Sequence, residues 1–121
     1  MHLEIHQLLA AAAGGTLRFS AVIDTLRRHY ECTPVAFSTG VGSDRRTDNA
    51  AGTNAASSQL LAFARRLGLD EPTTLALYAE HYRDVLADPD GSGHANIRAF
   101  MANGWSGVRF QGDPLRLKGP G

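Results

Sequence analysis

The chain has 121 residues, 43% of them apolar and 20% charged, which describes a single soluble-type domain with enough length to bury roughly two-thirds of its unfolded surface. Twelve basic residues balance twelve acidic ones, which argues against a protein that grips nucleic acid by neutralising many phosphates. The single cysteine, Cys32, excludes an internal disulfide framework and a thiolate zinc site, and no run approaches the roughly 20 apolar residues of a membrane span.

The arginine pairs Arg27-Arg28, Arg45-Arg46 and Arg65-Arg66 are scattered and read as solvated faces. Cys32 precedes Thr33-Pro34 and reads as a small half-buried thiol rather than a nucleophile. No Sec-type signal is seen, and a cytoplasmic location is expected.

The helical pattern begins early. Ile5, Leu8, Leu9 and Ala12 share one face, and Gly14-Gly15 stop the helix. Phe19, Val22, Ile23, Leu26 and Tyr30 continue the spacing through a second helix. Thr33 to Ser38 is short, bounded by Pro34 and Gly40, and looks extended. Residues 40–54 hold almost nothing apolar and read as a long loop, a feature often tied to function. A third helix is predicted over about 57–67, ended by Gly68. A fourth opens at Asp70-Glu71-Pro72 with Asp70 as N-cap and shows Leu75, Tyr78, Tyr82, Val85 and Leu86 on one face. Residues 88–93 form a turn. A fifth helix follows, with Ile97, Phe100 and Met101 at i, i+3 and i+4 as a buried stripe. Gly104 ends it and folds Trp105 back against Ile97, Phe100 and Phe110. Val108 and Phe110 alternate with Arg109, and Leu115 and Leu117 with Arg116, as a small hairpin or one strand with a tail. There are no internal repeats.

Several motifs fail on inspection. Asp88-Pro89-Asp90-Gly91-Ser92-Gly93 imitates the start of an EF-hand loop, but the twelfth position, which must carry a bidentate carboxylate, is Ala99. His2 and His6 would share a helix face, yet two imidazoles without a third ligand make a weak zinc site. Gly40-Val41-Gly42-Ser43 lacks the third glycine of a dinucleotide loop. Ser58, His94 and an aspartate such as Asp44, Asp48 or Asp90 compose a triad only on paper, because no nucleophile elbow surrounds the serine.

Two stretches survive. In Asn49-Ala50-Ala51-Gly52-Thr53-Asn54-Ala55-Ala56-Ser57-Ser58, small side chains feed a helix start whose free N–H groups suit an anion. The plainer reading is that Asn54 or Ser57 caps the third helix. In His94-Ala95-Asn96-Ile97-Arg98, three polar side chains crowd one turn. The plainer reading there is that His94 and Asn96 cap their own helix and Arg98 pairs with a carboxylate. A histidine at a helix N-terminus tends to stay neutral, which suits a hydrogen-bond donor or a base.

At these positions the chain resembles a known family. The residues are Tyr30, Thr33-Pro34, Phe37, Asn49, Gly52, Asn54 and Ser57; Ala62-Phe63-Ala64, Leu75, Tyr82-Arg83 and Val85; then His94, Asn96-Ile97-Arg98, Phe100, Gly104-Trp105, Gly107-Val108 and Phe110. This combination is similar to the HopJ type III effector family and runs along most of the chain. The resemblance implies a small bacterial α+β protein without an established activity, and the family label raises export through a type III system. Where the family pattern reads Gly-Ser-Cys-Lys, this chain reads Ala56-Ser57-Ser58-Gln59. A cysteine nucleophile is absent there. Either the family does not use that thiol, or Ser58 replaces it, or this chain has lost an activity.

The sequence thus predicts one α+β domain over residues 1–121. It is mainly helical, with about five helices and a small sheet from residues near 35–38 and 108–117. The expected ligand-binding set is Asn49, Asn54, Ser58, His94, Asn96 and Arg98, with the two polar segments meeting in one cleft. Arg98 would face a carboxylate or phosphate. The expected partner is a small polar or anionic ligand, with self-association left open; no cofactor, metal, nucleic acid or membrane is expected. The alternative is a small hydrolase or transferase with His94 as general base.

Overall fold

The computed structural model describes residues 2–118, and of His2 only the backbone. The side chain of His2, and with it the His2/His6 pair, lies outside the described residues.

Among the described residues six α-helices form: α1 (His2–Ala13), α2 (Phe19–His29), α3 (Ala55–Arg66), α4 (Glu71–Leu77), α5 (Glu80–Ala87) and α6 (Ala95–Asn103). Five short strands accompany them: β1 (Tyr30–Cys32), β2 (Phe37–Thr39), β3 (Thr47–Asn49), β4 (Arg109–Phe110) and β5 (Leu115–Leu117). The fold is therefore α+β and mainly helical. Its core joins Val22 and Leu26 of α2, Leu60, Leu61 and Phe63 of α3, Leu77 of α4, Ile97 and Phe100 of α6, and Phe37, Val108 and Leu115 from the sheet side, all buried. α1 belongs to this core through buried Leu8, with Ile5, Leu9 and Ala12 packed against it.

The expected pairing of the strand near 35–38 with that near 108–110 is present as β2 with β4, but the rest of the strand arrangement differs from the expectation. β3, β2 and β4 form one antiparallel sheet, with Phe37 opposite both Asn49 and Phe110. β3 falls inside the stretch expected to be loop. β5 does not join this sheet; it pairs with β1, Tyr30 opposite Leu117 and Cys32 opposite Leu115. The turn at Asp113-Pro114, where the Asp113 carboxylate accepts from the Leu115 N–H at 3.0 Å, separates the two strands. Tyr30 thus leaves α2 for a strand while remaining buried, its ring edge-on to Phe63 at 6.0 Å.

The expected fourth helix is two helices. Ala79 takes φ 56° with ψ −123° and breaks the chain between α4 and α5, a sparsely populated conformation that costs an L-residue about 1–3 kcal/mol. The break puts Glu80 where its carboxylate accepts from the Phe19 N–H at 2.7 Å, capping α2, whose own N-cap residue Arg18 makes no side-chain bond. Asp70 caps α4 as expected, accepting from the Thr73 N–H at 2.8 Å.

Around α6 the stripe is narrower than predicted. Ile97 and Phe100 are buried, but Met101 is exposed, as is Leu86 on α5. Trp105 is half-buried rather than largely buried. Its ring meets Phe100 edge-on at 5.0 Å and its Nε1 donates to the Leu69 carbonyl at 3.1 Å. Phe110 is not part of that stack; it lies on Phe37 instead. Gly104 does end α6, at φ 58° with ψ −151°, a region open to glycine alone.

Candidate functional site

A cleft of about 450 Å³ opens where the N-termini of α3 and α6 meet the first turn of α5. Asn54, Ala56 and Ser57 line one side, and His94, Ala95 and Asn96 the other. Its third wall is aromatic. Tyr78 stacks on Phe19 with centroids 6.0 Å apart, Phe19 meets His81 edge-on at 4.7 Å, and the His81 and His94 rings are 4.9 Å apart. Within this wall the hydroxyls of Ser57 and Tyr78 share a hydrogen bond of 2.5 Å, and burial pushes the Tyr78 phenol well above its ordinary range. A phenol held neutral is a hydrogen-bonding group, not a base.

Three helices start at this cleft in an unusual way. The residues before α3, α5 and α6 are Asn54, Ala79 and His94, with φ of 53°, 56° and 57°; among the described residues no other non-glycine position has positive φ. None of the three donates or accepts a side-chain cap bond. The capping readings of Asn54, His94 and Asn96 are therefore overturned. Strained starts of this kind gather where a structure holds groups for function. For α3 and α6, the uncapped first turns leave backbone N–H groups pointing outward, with the positive end of each helix dipole behind them.

The two polar segments meet as expected, though not with the expected roles. Asn49 and Asn96 are buried and face each other as a reciprocal amide pair, each Nδ2 donating to the other's Oδ1 at 3.0 Å. Thr39 adds a donation to Asn96 Oδ1 at 2.6 Å, Asn54 one to Asn49 Oδ1 at 2.8 Å, and Asn49 Nδ2 also reaches the Phe37 carbonyl at 3.2 Å. This network pins α6 to β2 and β3. Of the predicted set, Asn54 lines the cleft with its Nδ2 committed to Asn49, and His94 lines it with no hydrogen bond to that network.

Arg98 does not converge with them. It is 7% exposed, and its Nε and Nη1 donate to the carbonyls of Gly93 and Pro89 at 2.6 and 3.2 Å. It braces the turn that delivers His94, and the pairing expected with a carboxylate is made with backbone instead. Ser58 is also elsewhere. It is buried with an unpartnered Oγ and lines a separate hollow of about 90 Å³ beside Cys32 and Gln59. Cys32 itself is half-buried, and burial raises its thiol pKa.

The sequence reading missed Phe19, Tyr78, His81 and Asp84. His81 and Asp84 stand three apart on α5, a spacing that sets both on one helix face. With His94 they bring one ligand atom each within 4.8 Å of one another. The one signal available in the sequence was that His81-x-x-Asp84 spacing followed by a third candidate across a turn.

Comparison with known proteins agrees with this architecture. A crystal structure of a protein of unknown function, VPA0580, superposes with a TM-score of 0.82 at 34% identity, covering 93% of this chain and 92% of that one. No curated protein matches the chain. The family model described as HopJ type III effector protein matches residues 4–115, which runs from within α1 through α6 and includes the cleft and the amide network, and the chain belongs to that family.

Proposed function

We propose that this protein binds a small anionic ligand in the cleft between the α3 and α6 N-termini. The supporting observation is the convergence of two helix starts that no side chain caps, lined by Asn54, Ala56, Ser57, His94 and Ala95. Backbone N–H groups at such termini bind carboxylate or phosphate oxygens without further help. The wall of Phe19, His81 and His94 offers aromatic surface for the rest of the ligand. Such a pocket, apolar on one wall with a few converging polar groups, is the common form of a small-molecule site.

The general-base alternative has less to stand on. His94 Nε2 is 3.6 Å from the nearer Asp84 oxygen, too long for the hydrogen bond that would orient it. Among the described residues no hydroxyl or thiol is hydrogen-bonded to His94, so it would have to act on water or on the ligand.

Amide NMR tests the binding reading. Titration with inorganic phosphate and with a small dicarboxylate should shift the N–H signals of Ala56, Ser57, Ala95 and Asn96 first. Ala95 is exposed at the start of α6, so Ala95→Glu places a carboxylate at a favourable helix position while filling the cleft. The variant should fold and lose the titration. Shifts confined to other surfaces, or binding unchanged in Ala95→Glu, would reject the site.

Retention in the cytoplasm is proposed as well. The support is that α1 packs into the core, whereas a segment that must thread through a secretion channel has to be free of the fold. Among the described residues no helix is long and apolar enough to cross a membrane. A reporter fused to the first residues of this chain should stay inside a type III-secreting strain; its export would overturn the proposal.

A further inference from the structure

We infer that His81, Asp84 and His94 form a binding site for a divalent transition-metal ion of the zinc class, at the edge of the cleft.

The donor set favours a transition metal. Two imidazoles and one carboxylate are the ligand set of mononuclear zinc and iron sites that keep positions open for water or substrate. Hard cations such as calcium and magnesium ask for oxygen ligands and gain little from imidazole.

Geometry agrees with the chemistry. The three donor atoms lie within 4.8 Å of one another, and the His94–Asp84 pair is already at 3.6 Å. Bonds of about 2.0–2.1 Å to a tetrahedral ion put ligand atoms about 3.3 Å apart. The remaining closure falls to side chains with room to move, since those of Asp84 and His94 are 65% and 35% exposed.

Two further observations stand apart from the spacing. His81 Nδ1 is buried without a hydrogen-bond partner, so no contact within the fold commits that nitrogen to donating or accepting. And His94 sits in the left-handed region while its side chain caps nothing. What the strained conformation achieves is the placement of its imidazole over His81, 4.9 Å away. The Arg98 brace on the preceding turn holds that placement.

Among the described residues neither imidazole is hydrogen-bonded to a carbonyl or carboxylate: His81 Nδ1 has no partner and His94 Nε2 stops 3.6 Å from Asp84. That contact stiffens metal-bound histidines, and its loss weakens affinity 10- to 100-fold in known sites. The site should therefore be exchangeable rather than permanently filled. Because His81 and His94 also line the cleft, a bound divalent ion would add positive charge beside the two helix starts. The inference stands without the anion reading: a protein that takes zinc and no phosphate keeps this site and loses only the other.

Calorimetry of the tag-free full chain with zinc chloride, together with cobalt absorption, tests it. One zinc per chain should bind, and cobalt should develop the d–d bands of a four-coordinate site. Calcium and magnesium should give no heat. Asp84→Asn, at an exposed position, and His94→Asn, which suits positive φ, should each weaken zinc at least tenfold. His6→Ala should change nothing. Absence of zinc binding, zinc heat equal in Asp84→Asn and wild type, or binding removed by His6→Ala alone would overturn the inference.

Discussion

Two polar clusters face each other across the start of α6, and they have opposite characters. In the first, Thr39, Asn49, Asn54 and Asn96 satisfy one another at 2.6–3.0 Å. In the second, His81 Nδ1 is buried and unpartnered, and the His94–Asp84 contact stops at 3.6 Å. Each contributes a residue to the same polar run in sequence, Asn96 to the first and His94 to the second. The difference teaches that polar richness alone does not mark a binding site. A closed network builds the fold, and an open one is where a ligand can be the missing partner.

The sharpest way to break the comparison is to open the closed network. Asn96→Ala removes a residue that is 6% exposed, leaves the Thr39 hydroxyl without a partner, and takes two bonds from the Asn49 amide, which keeps those to Asn54 and Phe37. A buried orphan costs about 1–3 kcal/mol and each further lost bond about 0.5–1.5 kcal/mol, so a loss of about 3 kcal/mol is expected. Urea unfolding checks the value. A double-mutant cycle with Asn49→Ala should show a coupling of about 0.5–3 kcal/mol; strict additivity would mean the two amides do not depend on each other.

Arg98 joins the two clusters, because it belongs to α6 yet holds the turn before His94. Arg98→Met keeps the packing stem and deletes the bonds to Gly93 and Pro89. Charged hydrogen bonds of this kind contribute about 1.5–3 kcal/mol, so about 2 kcal/mol of stability should go. Zinc affinity should fall with it, although Arg98 touches no proposed ligand atom. Unchanged affinity in the folded variant would show that the turn needs no brace.

How much of this was readable depended on the range of the forces involved. The Asp70 cap and the Gly104 stop were legible because each acts within a few residues. β3 was not, since Thr47, Asp48 and Asn49 carry no apolar alternation; their strand exists through pairing with Phe37 and Thr39. The alternation of Leu115 and Leu117 was legible as a strand, but β1 and its pairing with β5 were not, because Tyr30 and Leu117 stand far apart in the chain. The break at Ala79 has no glycine or proline to announce it, and without it His81 reads as one more residue of a long helix. Half of the cleft was found through Asn54 and His94. The other half arrives from α2 and α5 by tertiary packing alone.

The open cluster should be as tolerant as the closed one is sensitive. His94→Asn keeps a residue suited to positive φ and removes only an exposed imidazole. Stability should stay within about 0.5 kcal/mol of wild type, while zinc and anion binding weaken. A large stability loss here would erase the contrast and make His94 a structural residue.

The smallest effect lies at the one conventional cap, which serves as the control for the uncapped starts of α3 and α6. Asp70 accepts from the Thr73 side chain and N–H, and these bonds hold its carboxyl below its ordinary value of 3.8. A depressed carboxylate contributes stability that is fully present above its unfolded pKa and is lost as pH falls through the lower folded one. Asp70→Asn keeps a good cap but has no proton to gain. Wild type should therefore melt slightly above the variant at neutral pH, with the gap closing as pH falls below 3.8. A gap that is flat with pH, measured by paired thermal melts, would mean that the charge at Asp70 adds nothing to the cap. The anion reading of α3 and α6 would then lose its electrostatic support, because the same dipole argument underlies both.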